Sequence, residues 1–129
     1  MASIVEKETA SPDERPRVAS VYYNRLAQKM ALDADPSIIY AKLLAGTYQG
    51  ALHHDDLSVN SPYNTYRFPG LPPGPIGNPG KSSLEAALHP DSTNFLYFVA
   101  DGSGHHRFAQ SLEEHNRNVA AYRRSLGLR

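Results

Sequence analysis

Apolar positions along this chain follow helical spacing at both ends and lose that spacing in the middle. In the first ten residues, a helix would put Ile4, Val5 and Glu8 on one side, because residues three and four apart are neighbours. Glu6 then points roughly the opposite way, at ~100° per residue. Ser11-Pro12-Asp13-Glu14 combines a capping box with proline at the first helical position, and predicts that a second helix starts there. Val18, Val21, Tyr22, Leu26 and Met30 would form its buried stripe, and Asn24 is within reach of the interior. Asp35-Pro36 repeats the cap-plus-proline signal for a third helix carrying Ile38, Ile39, Leu43 and Leu44, which Gly46 would stop.

Periodicity fades from Tyr48 to Gly80. The His53-His54-Asp55-Asp56 run reads as a polar turn entering a short helix, since adjacent histidines point apart and no third metal ligand is spaced to join them. Half of the ten prolines lie between Pro69 and Pro79, which predicts a stiff, non-helical loop. Long loops of this kind inside compact domains usually carry function. Regular structure returns with a short helix from Lys81 to His89, with Leu84, Ala87 and Leu88 turned inward. Phe95-Leu-Tyr-Phe-Val-Ala100 predicts a buried strand, Asp101 to Gly104 a turn, and His105 to Ala109 the returning strand. Ser111-Leu-Glu-Glu114 is a second capping box, opening a last helix with Leu112, Val119, Tyr122 and Leu126. The sum is α+β and mostly helical, with a long proline-rich loop and a small β-hairpin.

Composition narrows the class. The chain has 129 residues, 40% of them apolar, enough for one domain with a real core. Thirteen basic residues balance thirteen acidic ones, so the footprint of a nucleic-acid binder is missing. The chain has no cysteine, which excludes disulfides and thiolate metal sites. No apolar run approaches a membrane span and no signal peptide opens the chain, which reads as a soluble piece cut from a longer protein.

The chemistry centres on Glu8. A carboxyl held against apolar neighbours resists ionisation, and so can serve as a general acid near neutral pH. Tyr63, Asn64, Thr65 and Tyr66 offer flat apolar faces with hydroxyl and amide tips, the chemistry a sugar ring needs. A loop that merely covers the core would look the same.

The runs Ser3-Ile-Val-Glu-Lys-Glu-Thr9, Val18-Ala-Ser-Val21, Asn24-Arg-Leu26, Asp35-Pro36, Ile39-Tyr40, Tyr63-Asn-Thr-Tyr66, Gly70-Leu-Pro-Pro-Gly74 and Asn78-Pro-Gly80 resemble the endolytic murein transglycosylases, the YceG-like or MltG family. The likeness continues through Ala86-Ala87, His89-Pro90, Leu96 to Gly102, His106, Phe108 and His115-Asn116, essentially end to end. The resemblance implies a single catalytic domain over residues 1–129, distantly lysozyme-like. Such a domain cleaves the MurNAc-β-1,4-GlcNAc bond of peptidoglycan glycan strands and leaves 1,6-anhydro-MurNAc ends. It implies Glu8 as catalytic residue, followed by the hydroxyl residue Thr9, and no cofactor or metal. Tyr63, Asn64, Thr65 and Tyr66 are the expected substrate-binding residues, with Asn24 and His106 as weaker candidates. A second carboxylate partner is not obvious, although Asp33, Asp35, Asp55 and Asp56 stay open. Family proteins also carry a membrane anchor and a LysM-like module, absent from this chain. That places the native protein in the cell envelope, on the outer face of the cytoplasmic membrane, with peptidoglycan synthases as neighbours. A non-catalytic glycan-binding module and a glycan hydrolase are the alternatives.

Overall fold

The computed structural model describes residues 1–127. Its elements are α1 (Ala2–Glu8), α2 (Arg15–Ala27), α3 (Asp35–Ala45), a 3₁₀ turn (His54–Ser58), α4 (Lys81–Leu88), β1 (Tyr97–Ala100), β2 (His106–Ala109) and α5 (Leu112–Ser125). Among the described residues the strands form one two-stranded antiparallel sheet, so the architecture is α+β with helices dominant.

A helix as short as α1 would not persist alone, because isolated helices under ~12–15 residues are marginal in water. Burial holds it in place. Ser3, Ile4 and Val5 are buried, and α2, α3 and α4 all pack against α1. The core gathers Ile4 and Val5 with Val18, Ala19 and Tyr22 of α2, Leu32 and Ala34 ahead of α3, Ile76, and Ala86 of α4. The buried Ser3 Oγ accepts the Ile76 amide hydrogen at 3.0 Å, which ties the proline-rich stretch to α1. Residues 59–80, which contain that stretch, have turns and bends but no helix or strand. Thr9, at φ −142°, leaves the helical backbone immediately after Glu8.

Two predicted helix starts are displaced. Residues 11–14 form a turn, and α2 begins at Arg15 instead of Pro12. Ser11 Oγ donates to Asp13, and the Glu14 carboxylate turns to the hairpin. There it accepts the His106 amide hydrogen at 3.1 Å and meets His106 Nδ1 at 2.9 Å, so it cannot complete a capping box. At α3 the cap position is Ala34, which makes Asp35 the first helical residue and frees its carboxylate. Gly46 does end α3, at φ +72°, a left-handed backbone that glycine adopts without strain.

The buried faces also differ from the pattern reading. On α4 it is Ser83 and Ala86 that face inward, while Leu84 and Leu88 are exposed. Small side chains let α4 approach α1 and α2 closely. Leu43, Leu44, Leu112 and Leu126 are exposed as well. The predicted strand over Phe95–Ala100 is regular only from Tyr97, and is half-buried because α2 and α5 cover a sheet of just two strands. Its register pairs Tyr97 with Ala109 and Ala100 with His106. Ser111 Oγ caps α5 by accepting the Glu114 amide hydrogen at 3.2 Å.

Candidate active site

The short helix α1 sends its two glutamates to different places. Glu6 faces α4: Oε1 accepts from the Gly80 amide at 2.8 Å and from Ser83 Oγ at 3.0 Å, and Oε2 meets Arg15 at 3.2 Å. The Gly80 hydrogen bond, then that of Ser83, holds the Glu6 pKa below the usual carboxylate value. Glu8 faces a cavity of about 490 Å³ that it shares with Tyr22, Arg25, Asp35, Tyr66 and His115. That volume lies within the ~300–1,000 Å³ typical of ligand sites. Burial, and then the charge of Asp35, pushes the Glu8 pKa up to about 7, against the opposing effect of the Tyr22 hydroxyl. Near neutral pH this carboxyl exists in both protonation states, as a group that must give and retake a proton requires.

The loop before α4 builds the opposite wall. Thr65 Oγ1 accepts the Ala34 amide hydrogen at 2.9 Å and bonds Ser37 Oγ at 2.8 Å, fastening the loop to the start of α3. Asn64 Nδ2 donates to the carbonyls of Leu57 and Val59 at 3.0 and 2.8 Å, while its Oδ1 accepts from the Tyr66 amide at 2.9 Å. This scaffold delivers the Tyr66 hydroxyl to the Asp35 carboxylate, to which it donates. Burial, followed by the Asp35 carboxylate, raises the Tyr66 pKa and keeps the phenol protonated. Asp33 also lines the cavity, at φ +51°, a left-handed backbone uncommon outside glycine. Its carboxylate lies 3.6 Å from Arg25, and burial raises its pKa. Glu8 is therefore accompanied by two further carboxylates in the same cavity.

The remaining wall is aromatic and cationic. Arg25 donates to the Leu96 carbonyl at 2.7 Å and the Ala31 carbonyl at 2.8 Å, and its guanidinium lies 5.0 Å from the Tyr97 ring centre. His115 stacks on Tyr97 with centroids 5.0 Å apart, and its buried Nδ1 has no hydrogen-bond partner among the described residues. Burial and then Arg25 lower the His115 pKa, which favours the neutral ring.

Of the residues proposed from sequence, Glu8 and Tyr66 line this cavity, and Tyr63, Asn64, Thr65, Asn24 and His106 do not. Those five have partners elsewhere in the fold. Asn24 Nδ2 donates to the Thr93 and Phe95 carbonyls at 2.9 Å each, His106 bonds Glu14, and Tyr63 packs edge-on against Tyr40 at 4.9 Å. A buried amide or hydroxyl must find partners, and here the neighbouring backbone supplies them. Arg25, Asp35, Tyr97, His115 and Asn116 line the cavity without having been singled out as site residues. Each stands inside a run that carried the family resemblance, and that was the available signal. Asp35 was read as a helix cap and, with Asp33, Asp55 and Asp56, left open as a second carboxylate; the structure puts Asp33 and Asp35 in the cavity. No group of three metal-ligating side chains is assembled among the described residues.

The comparisons with known proteins agree with one another. The model of the YceG-like family matches residues 1–121. A Bacillus subtilis protein named endolytic murein transglycosylase is 48% identical over 122 residues, covering 95% of this chain and 33% of that protein. Its namesake in Streptococcus pneumoniae is 39% identical over 126 residues, covering 95% of this chain and 23% of the relative. A crystal structure of a yceG-like protein from Listeria monocytogenes superposes with a TM-score of 0.80 at 49% identity, over 91% of this chain and 36% of that one. The chain thus spans about a third or less of the length of the curated relatives it matches.

Proposed function

The chain belongs to the YceG-like family, and on that premise we propose that it cleaves peptidoglycan glycan strands as an endolytic lytic transglycosylase, with Glu8 as its single general acid and base. The observation that carries this reading is the setting of Glu8, which faces a cavity of ligand size with its pKa pushed up to about 7. In the first step Glu8 gives its proton to the GlcNAc O4 while the C1–O4 bond breaks and the electron pair leaves with O4. In the second, the C6 hydroxyl of the same MurNAc attacks C1 and returns its proton to Glu8. The C1–O6 bond closes the 1,6-anhydro ring, and no water is consumed. Intramolecular attack is fast because well-oriented tethered groups reach effective molarities of ~10⁵ M or more. A lysozyme-like arrangement of the helices around Glu8 belongs to the same proposal. So does the location: a cell-envelope protein anchored in the cytoplasmic membrane, with this domain outside and peptidoglycan synthases nearby. Among the described residues no helix is long and apolar enough to cross a membrane.

Asp35 in the same cavity favours a second reading, a two-carboxylate hydrolase. The Tyr66 hydroxyl weighs against it, because it occupies one oxygen of the carboxylate that would have to position water. The test of the main proposal is incubation of isolated glycan strands with the wild type, Glu8→Gln and Glu6→Gln. Cleavage should vanish in Glu8→Gln, whose near-isosteric amide has no proton to give, and persist in folded Glu6→Gln. Equal loss in both, or loss confined to the Glu6 variant, overturns the assignment of Glu8.

A further inference from the structure

Asp35 sits at the first turn of α3 and lines the cavity that Glu8 faces, and its own role is unassigned. Its carboxylate is no cap, since the N-terminus of α3 has no side-chain cap hydrogen bond. Its partner is the Tyr66 hydroxyl, delivered by the Asn64 and Thr65 scaffold, and both side chains line the wall of the cavity that Glu8 faces. So much fixed structure converging on one exposed aspartate needs a reason. Stability does not supply it, because an exposed hydroxyl–carboxylate contact contributes little by comparison with the buried pairs around it.

We propose that Asp35, held by Tyr66, is a positioning residue of the reaction: a fixed negative charge that keeps the proton on Glu8 until the glycosidic oxygen takes it. The inference rests on the reading of Glu8 as the acid. A like charge in one site disfavours the second ionisation, which is the Coulomb effect of Asp35 on Glu8. The other groups facing the same cavity are Tyr22 and Arg25 of α2, Asp33, Tyr97 of β1 and His115 of α5. Arg25 acts in the opposite sense but is turned to Asp33 and two carbonyls, while His115 is biased to its neutral form. Asp35 is thus the charge whose effect on Glu8 is left uncompensated. Tyr66 contributes by fixing where that carboxylate points, and by remaining a neutral phenol itself.

The test is a carbon-13 NMR titration of the Glu8 carboxyl in the wild type, Asp35→Asn and Asp35→Glu, joined to the pH profile of strand cleavage. Asp35→Asn should lower the Glu8 pKa by about one pH unit, and should move the alkaline limb of the profile to lower pH by the same amount. Turnover then falls roughly tenfold on the alkaline side and recovers on acidification. Asp35→Glu, which keeps the charge, should restore most of the wild-type limb. A merely structural aspartate would lower activity at all pH values and leave the Glu8 titration where it was, and that result overturns the inference. The titration needs no turnover, so it judges Asp35 even in a protein that does not cleave. Cleavage surviving in Glu8→Gln would instead remove the reading of Glu8 on which this rests.

Discussion

Glu8→Gln should make this protein more stable at alkaline pH while removing its activity. The carboxyl is raised from 4.5 to about 7 on folding, so the folded state binds a proton more tightly than the unfolded chain. The sign follows from that. The favourable contribution is complete below about pH 4.5, falls as pH rises through 7, and is gone above it. At about 1.4 kcal/mol per pH unit, the ionised Glu8 costs the fold up to roughly 3 kcal/mol at pH 9. A neutral glutamine of the same shape escapes that cost. For a domain of this size the gain corresponds to a Tm increase on the order of 10 °C at pH 9, with little difference at pH 4.5. Urea unfolding of both proteins at pH 4.5, 7 and 9 measures it, with the midpoint and slope read separately. A stability difference that does not depend on pH, or a variant less stable than the wild type at pH 9, would refute the claim that Glu8 is held against its charged form.

Glu6→Gln should act in the opposite pH range. Its pKa is lowered on folding, so its stabilisation is fully present above about pH 4.5 and is lost below that value, as pH falls through the lower pKa of the folded state, whereas the variant should show a flatter acid-side profile in thermal melts. The variant should also lose about 1–2 kcal/mol at pH 7 through weakened bonds to Gly80, Ser83 and Arg15. Asn64→Ala should cost about 1–3 kcal/mol, because the Leu57 and Val59 carbonyls lose their donor; an unchanged urea midpoint would show that these bonds do not hold the loop.

The sequence made some of this legible and hid the rest for physical reasons. The two glutamates of α1 were separable because two residues on a helix are some 200° apart, and a periodicity argument needs nothing else. The hairpin and the Ser111 cap were equally local signals, and they stand in the structure. The faces of α4 were not legible: Leu84 and Leu88 carry the apolar signal, but close packing on α1 selected Ser83 and Ala86. The backbone partners of Asn64 and Thr65 were not legible, since an amide and a hydroxyl suit a sugar as well as the carbonyls and amides that only folding brings near. Asp35 stood only as one of four open carboxylates, for a related reason. A helix-cap motif and a charge aimed into a cavity have the same letters, and Tyr66, the residue that distinguishes them, lies thirty-one positions away.

The measurement that tests the central claim most directly is the chemistry of the new chain ends. Isolated peptidoglycan strands digested by this protein, then analysed by mass spectrometry before and after borohydride treatment, report how C1 was resolved. Ring closure by the C6 hydroxyl predicts fragments one water lighter than hydrolysis products, resistant to reduction, with chain length falling early because cuts fall inside strands. Reducible ends one water heavier would contradict the single-carboxylate mechanism and point to a hydrolase in which Asp33 or Asp35 acts beside Glu8, and strands bound but left intact would contradict catalysis altogether.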